Sequence, residues 1–212
     1  LCTCNLHEHG ATQLHAHSTQ DMKRSDQSYR VSVVVPTYNM GEYVGACIES
    51  ILDGHFDAVE VVVVDDGSTD HTENVVKKYM GEGGEKYDPR VVYVYQENAG
   101  KSCAVNRGFS VAQGDYLTIV DADDRLPQSS LSARFEANLD ENGNRHDLVV
   151  GGFGVLGPNG EQGERSAPST DDPQHLHDRF YLSLKTPFHL NACLFSRELV
   201  ERTGKLDESL HR

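Results

Sequence analysis

The chain has 212 residues, the size of one domain, and its 19 Lys plus Arg against 33 Asp plus Glu leave a net charge of −14. That balance speaks against a protein that tracks nucleic-acid phosphates with a basic face, and no apolar run reaches the roughly 18 residues a membrane span needs. A hydrophobic share of 37% with 19 Gly and 7 Pro suits a globular domain with a real core. Five cysteines, at 2, 4, 47, 103 and 193, are too few and too scattered for a disulfide scaffold and fit a reducing compartment.

Residues 1–29 show no sustained period. Cys2, Cys4, His7, His9, His15 and His17 could ligate zinc, but their spacing matches no standard finger, so a mobile leader is expected. The regular pattern starts at Arg30. Val31 to Val35 is a β-branched run stopped by Pro36 and predicts a buried strand. Tyr43, Val44, Cys47, Ile48, Ile51 and Leu52 recur at helical spacing up to Gly54. Val59 to Val64 predicts a second strand running into Asp65-Asp66-Gly67. Asp70-His-Thr-Glu73 reads as a capping box before the stripe Val75, Val76, Tyr79 and Met80. Val91 to Tyr95 is a third strand, Ala104 to Ala112 a helix, and Tyr116 to Val120 a fourth strand ending at Asp121.

Strands and helices alternate without a hairpin signal, which predicts an α/β domain with a mostly parallel sheet and helices on both faces. Further on, Leu131, Phe135 and Leu139 predict a helix and Asp147 to Val155 a glycine-interrupted strand. Gly157 to Pro173 reads as a long loop. A helix around His175 to Leu184, a strand around Asn191 to Phe195, and a helix from Glu198 to Thr203 follow. Ser196 is the expected cap of that last helix and Gly204 its stop.

In an open parallel sheet, ligands bind beyond the carboxyl ends of the strands. Here those ends carry Pro36-Thr37-Tyr38-Asn39, Asp65-Asp66-Gly67-Ser68 and Asp121-Ala122-Asp123-Asp124. Either acidic phrase alone could be a solvated turn, since Asp and Gly suit turn geometry. Both at strand ends of one sheet suit a hard divalent cation that joins one or two carboxylates to a substrate phosphate.

The phrases at 31–39, 63–70, 98–108 and 114–124 are Val-Ser-Val-Val-Val-Pro-Thr-Tyr-Asn, Val-Val-Asp-Asp-Gly-Ser-Thr-Asp, Asn-Ala-Gly-Lys-Ser-Cys-Ala-Val-Asn-Arg-Gly and Gly-Asp-Tyr-Leu-Thr-Ile-Val-Asp-Ala-Asp-Asp. In order and spacing this set resembles the inverting, nucleotide-sugar-dependent glycosyltransferase family 2 with the GT-A fold, over residues 30 to about 210. The resemblance implies a domain from 30 to 212 that lacks its C-terminal part. It implies that Pro36, Thr37 and Tyr38 floor the nucleotide base, that Asp66 accepts hydrogen bonds from it, and that Gly100 lets backbone approach the nucleotide. Lys101 and Asn106 would lie on the donor side. Asp121 would contact the ribose and assist the metal, Asp123 would be the principal ligand of Mg²⁺ or Mn²⁺, and Asp124 would enter the donor-sugar pocket.

The implied reaction moves a sugar, from a UDP-sugar in most relatives, to a saccharide, lipid-linked or cell-wall acceptor with inversion. Nucleic acid is not an expected partner. Because such donors are cytosolic, a cytoplasmic location with possible peripheral membrane association is expected. Inversion needs a general base, which in this family follows a Gly-x-Phe-Asp-Glu segment. Gly204-Lys-Leu-Asp207-Glu208 matches that segment, so the catalytic base is expected beyond Arg212 and neither Asp207 nor Glu208 takes the role.

The other candidates have plain readings. Cys47, Cys103 and Cys193 read as small core residues, His189 as a packed or surface histidine, and Arg125 as a charge balance for the aspartates. Two alternatives remain: a non-catalytic nucleotide-sugar-binding module, and a phosphatase of the haloacid dehalogenase type. The second needs its Asp-x-Asp after the first strand, whereas here it follows the fourth.

Overall fold

Val31–Thr37 (β1) and Val59–Asp66 (β2) are buried along their whole length. Side chains of a strand alternate between faces, so both faces of this sheet must be covered. A computed structural model describes residues 30–81, 83–156, 162–165 and 189–209. The expected leader, most of the expected 157–173 loop and the expected 175–184 helix lie outside the described residues.

Val44–Leu52 (α1) buries Val44, Cys47, Ile48 and Ile51, the three- and four-residue spacing of one helix face. Then follow Thr72–Lys77 (α2), Val91–Gln96 (β3), Lys101–Val111 (α3), Tyr116–Ile119 (β4) and Ser130–Glu136 (α4). The last stretch holds Leu148–Val150 (β5), Phe153–Leu156 (β6), Gln162–Arg165 (β7), Cys193–Ser196 (β8) and Arg197–Thr203 (α5). The main sheet has the order β3-β2-β1-β4-β8-β5. Its first four strands are parallel, whereas β8 runs antiparallel to both β4 and β5.

Two apolar layers sandwich the sheet. Val31, Val33, Val35, Val61 and Val63 pack with Ile48, Ile51 and Val76 on the α1 and α2 side, and Val34, Val62, Val64 and Leu117 pack with Ala104 of α3 on the other. α3 sits unusually close, because a Cβ on Gly108 would lie 2.3 Å from Val34 Cγ1. The strand order reverses direction between β1 and β4, so the chain's topological switch point, where a ligand crevice opens at the carboxyl edge, lies there.

Four local expectations change. Asp70 Oδ1 accepts from the Thr72 amide at 2.9 Å, but Glu73 pairs forward with Lys77 at 2.7 Å, so the reciprocal half of the capping box is absent. The expected 147–155 strand is two strands, broken at Gly151-Gly152 and belonging to different sheets. Part of the expected 157–173 loop is strand β7, which pairs with β6 from Phe153↔Arg165 to Leu156↔Gln162. The strand expected from Asn191 begins only at Cys193, after a 3₁₀ turn over Leu190–Ala192. The final helix matches its signals: Ser196 Oγ accepts from the Leu199 amide at 3.0 Å, and Gly204 ends the helix at φ +88°.

Candidate functional site

The two aspartates that close β2 face opposite ways. Asp65 lies on the α1 and α2 side, where Tyr93 Oη donates to Oδ2 at 2.8 Å and the Ser68 amide to Oδ1 at 2.8 Å. Burial and this neighbouring anion push the Tyr93 hydroxyl well above the usual tyrosine range. Asp65 is therefore occupied in shaping the turn. Asp66 lies on the α3 side, only 4% exposed. Gln96 Nε2 and the Ala99 amide donate to its Oδ1 at 2.7 and 2.9 Å, and the Gly100 amide to its Oδ2 at 2.9 Å. A carboxylate offers about four acceptor positions, so one stays open.

Gly67 makes this turn possible. Its φ is +78°, and a Cβ there would lie 2.8 Å from the Asn98 nitrogen. Asn39, expected only as part of the Pro-Thr-Tyr-Asn phrase, ties the first two strand ends together. Its amide donates to Ser68 Oγ at 2.9 Å and its Oδ1 accepts from the Thr69 amide at 2.8 Å. Thr37 is buried with no hydrogen-bond partner on Oγ1, and Tyr38 projects beside it, 48% exposed.

α3 begins between the acidic groups. Gly100 caps it at φ +94°, donating to Asp66, and Lys101 Nζ lies 2.5 Å from Asp121 Oδ1. The helix N-terminus, worth about half a positive charge, adds to the lysine in offsetting two carboxylates. Apart from this ion pair, Asp121 Oδ1, itself buried, accepts no hydrogen bond. Asp121 starts a tight turn in which the Asp124 amide returns to its carbonyl at 2.9 Å. Asp123 is exposed in that turn, and Asn191 Nδ2 donates to Asp124 Oδ2 at 2.6 Å. Below it, Cys47 Sγ lies 3.5 Å from the Asp121 carbonyl. Burial first, then Asp124, Asp121 and Asp123, push that thiol up to about 12.

Two contributors escaped the sequence reading. Asn191 steers Asp124, and buried Arg134 steers Asn191 in turn, its Nη1 donating to the Asn191 carbonyl at 3.2 Å. Asn106 was expected on the donor side, but its amide is engaged within the chain. Oδ1 accepts from the Leu206 amide, and Nδ2 donates to the Leu206 carbonyl and to Glu208 Oε1, each at 2.9 Å. The Asn191 and Asn106 ties span 67 and about 100 residues, and no local pattern announces them.

Of the expected site residues, Pro36, Thr37, Tyr38, Asp66, Gly100, Lys101, Asp121, Asp123 and Asp124 all lie at the carboxyl edge of β1, β2 and β4 or at the start of α3. Among the described residues no three acidic, His or Cys side chains form a ready metal cage. Asp121 and Asp123 instead present hard oxygens in one turn, one of them buried without a hydrogen bond. That set fits a cation that takes one or two carboxylates and completes its shell with phosphate and water.

Among solved structures, S. aureus TarS 1–349 in complex with UDP matches with a TM-score of 0.62 and 26% identity, over 85% of this chain and 51% of that one. The mannosyltransferase PcManGT from Pyrobaculum calidifontis in complex with GDP-Man and Mn²⁺ matches at 0.59 and 28%, over 87% of this chain and 50% of that one. The architecture is the GT-A fold of glycosyltransferases. Residues 32–204 match the glycosyl transferase family 2 profile, and the chain belongs to that family. Glycosyltransferase GlyG of Streptococcus pneumoniae serotype 4 is 37% identical over 124 residues, 58% of this chain and 38% of that protein. The chain thus spans 38% to 51% of the length of these three proteins.

Proposed function

We propose that residues 30–209 bind the nucleotide-diphosphate end of a sugar donor, and that the protein transfers that sugar with inversion to a saccharide, lipid-linked or cell-wall hydroxyl. The observation that carries this reading is the start of α3, set between Asp66 on one side and Asp121 on the other at the switch point of the sheet. Tyr38, exposed above Pro36 and Thr37, offers a flat apolar face to a base. Asp66, fixed by three donors, presents its remaining acceptor position to a base N–H. Thr37 Oγ1 has no hydrogen bond and Asp121 Oδ1 only its ion pair with Lys101, so a ribose hydroxyl or a cation would complete them.

Asp123 and Asp121 would hold Mg²⁺ or Mn²⁺, which, when bound, neutralises the diphosphate and stabilises it as a leaving group. Gly100 gives the phosphates access to backbone, Lys101 supplies positive charge, and Asp124, oriented by Asn191, borders the sugar. Asn106 contributes indirectly, by docking Leu206 and Glu208 onto α3. Asp207 accepts from both the amide and hydroxyl of Ser209, and Glu208 from Asn106, which supports assigning the acceptor base to neither. No helix among the described residues is long and apolar enough to cross a membrane, and we place the reaction on the cytoplasmic side, where such donors are made.

A UDP donor is the first choice because TarS was solved with UDP. Calorimetric titration with UDP, with and without Mn²⁺, tests the reading. Binding that Mn²⁺ strengthens by about tenfold or more is expected, the size of one charge-assisted contact. No binding, together with hydrolysis of a phosphomonoester, would favour a phosphatase instead.

A further inference from the structure

The rim gathers Asp66, Asp121, Asp123 and Asp124, and α3 sets one cation, Lys101, against them. The carboxylates of Asp66 and Asp121 are held very differently. Asp66 is fixed by three directed hydrogen bonds, two of them from backbone amides that cannot leave. Asp121 is a quarter exposed, and its Oδ1 is paired with a lysine whose side chain is 61% exposed and free to swing away. An exposed ion pair of this kind favours the paired arrangement by only about two- to fivefold, so Lys101 can depart at little cost.

We propose that Lys101 is a stand-in counter-ion. With the site empty it occupies the position on Asp121 that a divalent cation takes, and it moves to the donor diphosphate when metal and nucleotide arrive together. The inference rests on the donor-site reading above and adds a regulation to it, since the lysine makes metal loading conditional on the nucleotide. A chain with a net charge of −14 draws divalent cations to any cluster of carboxylates, and a resident lysine lowers that attraction until a ligand offers Lys101 an anion of its own. The exchange conserves pairing: one carboxylate passes from ammonium to metal, and the ammonium passes to phosphate.

Lys101→Met separates this idea from an ordinary donor contact, because the exchange requires two affinities to move in opposite directions. Mn²⁺ binding without nucleotide is followed by water-proton relaxation, and UDP binding at saturating Mn²⁺ by calorimetry, both at constant ionic strength. Mn²⁺ alone should bind Lys101→Met about two- to fivefold more tightly than wild type, while UDP should bind about tenfold more weakly. Lys101→Arg keeps the charge and should return both values to near wild type, and circular dichroism of each variant confirms folding. Nucleotide-free Mn²⁺ affinity that stays level or falls in Lys101→Met overturns the exchange, even with wild-type UDP binding intact. A wild-type chain that binds no UDP with Mn²⁺ overturns the donor site and the exchange together.

Discussion

The two ends of the same parallel sheet hold their buried polar groups differently. At the amino end, Glu60 Oε2 accepts from Ser32 Oγ and from the Gln113 amide, both at 2.8 Å, and Ser32 Oγ accepts from the Gly114 amide at 2.8 Å. Arg197 closes the same corner, with Nε on the Gly114 carbonyl and Nη2 on that of Ala112, both at 2.9 Å. At the carboxyl end, Thr37 Oγ1 and Asp121 Oδ1 are buried with no hydrogen bond. A densely connected network rigidifies a fold, whereas buried polar atoms with no hydrogen bond cost stability and persist where another molecule completes them. Polar burial at one end therefore reads as architecture and at the other as a binding site.

Substitutions can break that contrast. The largest effect belongs to Asp66→Ala, which strips the donors of Gln96, Ala99 and Gly100 of their acceptor. UDP affinity should fall by about a hundredfold or more, and urea unfolding should show a loss of about 2–4 kcal/mol. Glu60→Gln should also destabilise, by about 1–3 kcal/mol, yet leave the UDP Kd within about twofold of wild type. A large change in that Kd would erase the distinction between the two ends. Asp121→Asn is the mirror case: UDP affinity with Mn²⁺ should drop about tenfold, with stability changed by no more than about 1 kcal/mol, because the lost partner is an exposed lysine.

A smaller effect sharpens the map of the site. The Cys103 thiol is raised by burial and then by the negative charges of Glu208 and Asp66. Being raised, it stays protonated at neutral pH, and its alkylation rate should still be climbing as pH passes its ordinary value. Mass spectrometry should find Cys103 labelled before Cys193, pushed up to about 11, and before Cys47, pushed up to about 12. Bound UDP should slow the labelling of Cys103.

Much of this was legible in the sequence because the first half is built from local patterns. β-branched runs, helical stripes and acidic strand ends locate β1 to β4 and the rim without reference to anything distant. The pattern does not by itself divide the work of Asp65 and Asp66. Strand alternation does so once the register is known, placing one against Tyr93 and the other against Gly100. The second half resisted for a physical reason. Gly151-Gly152 hides the point where the chain leaves the main sheet, and the Gly- and Pro-rich stretch after Leu156 masks the hairpin partner in β7. Asn191 looked like the first residue of a strand, and nothing beside it points to Asp124.

The Asn106 tie carries a practical lesson for protein engineering. Leu206 and Glu208 are fastened to the middle of α3 through one buried amide, so exchanging parts between relatives cannot treat residues after β8 as a detachable module. A chimaera joined anywhere between Val111 and Lys205 inherits this seam. It must bring a carboxylate and an exposed peptide group that Asn106 can recognise, or redesign position 106 along with the graft.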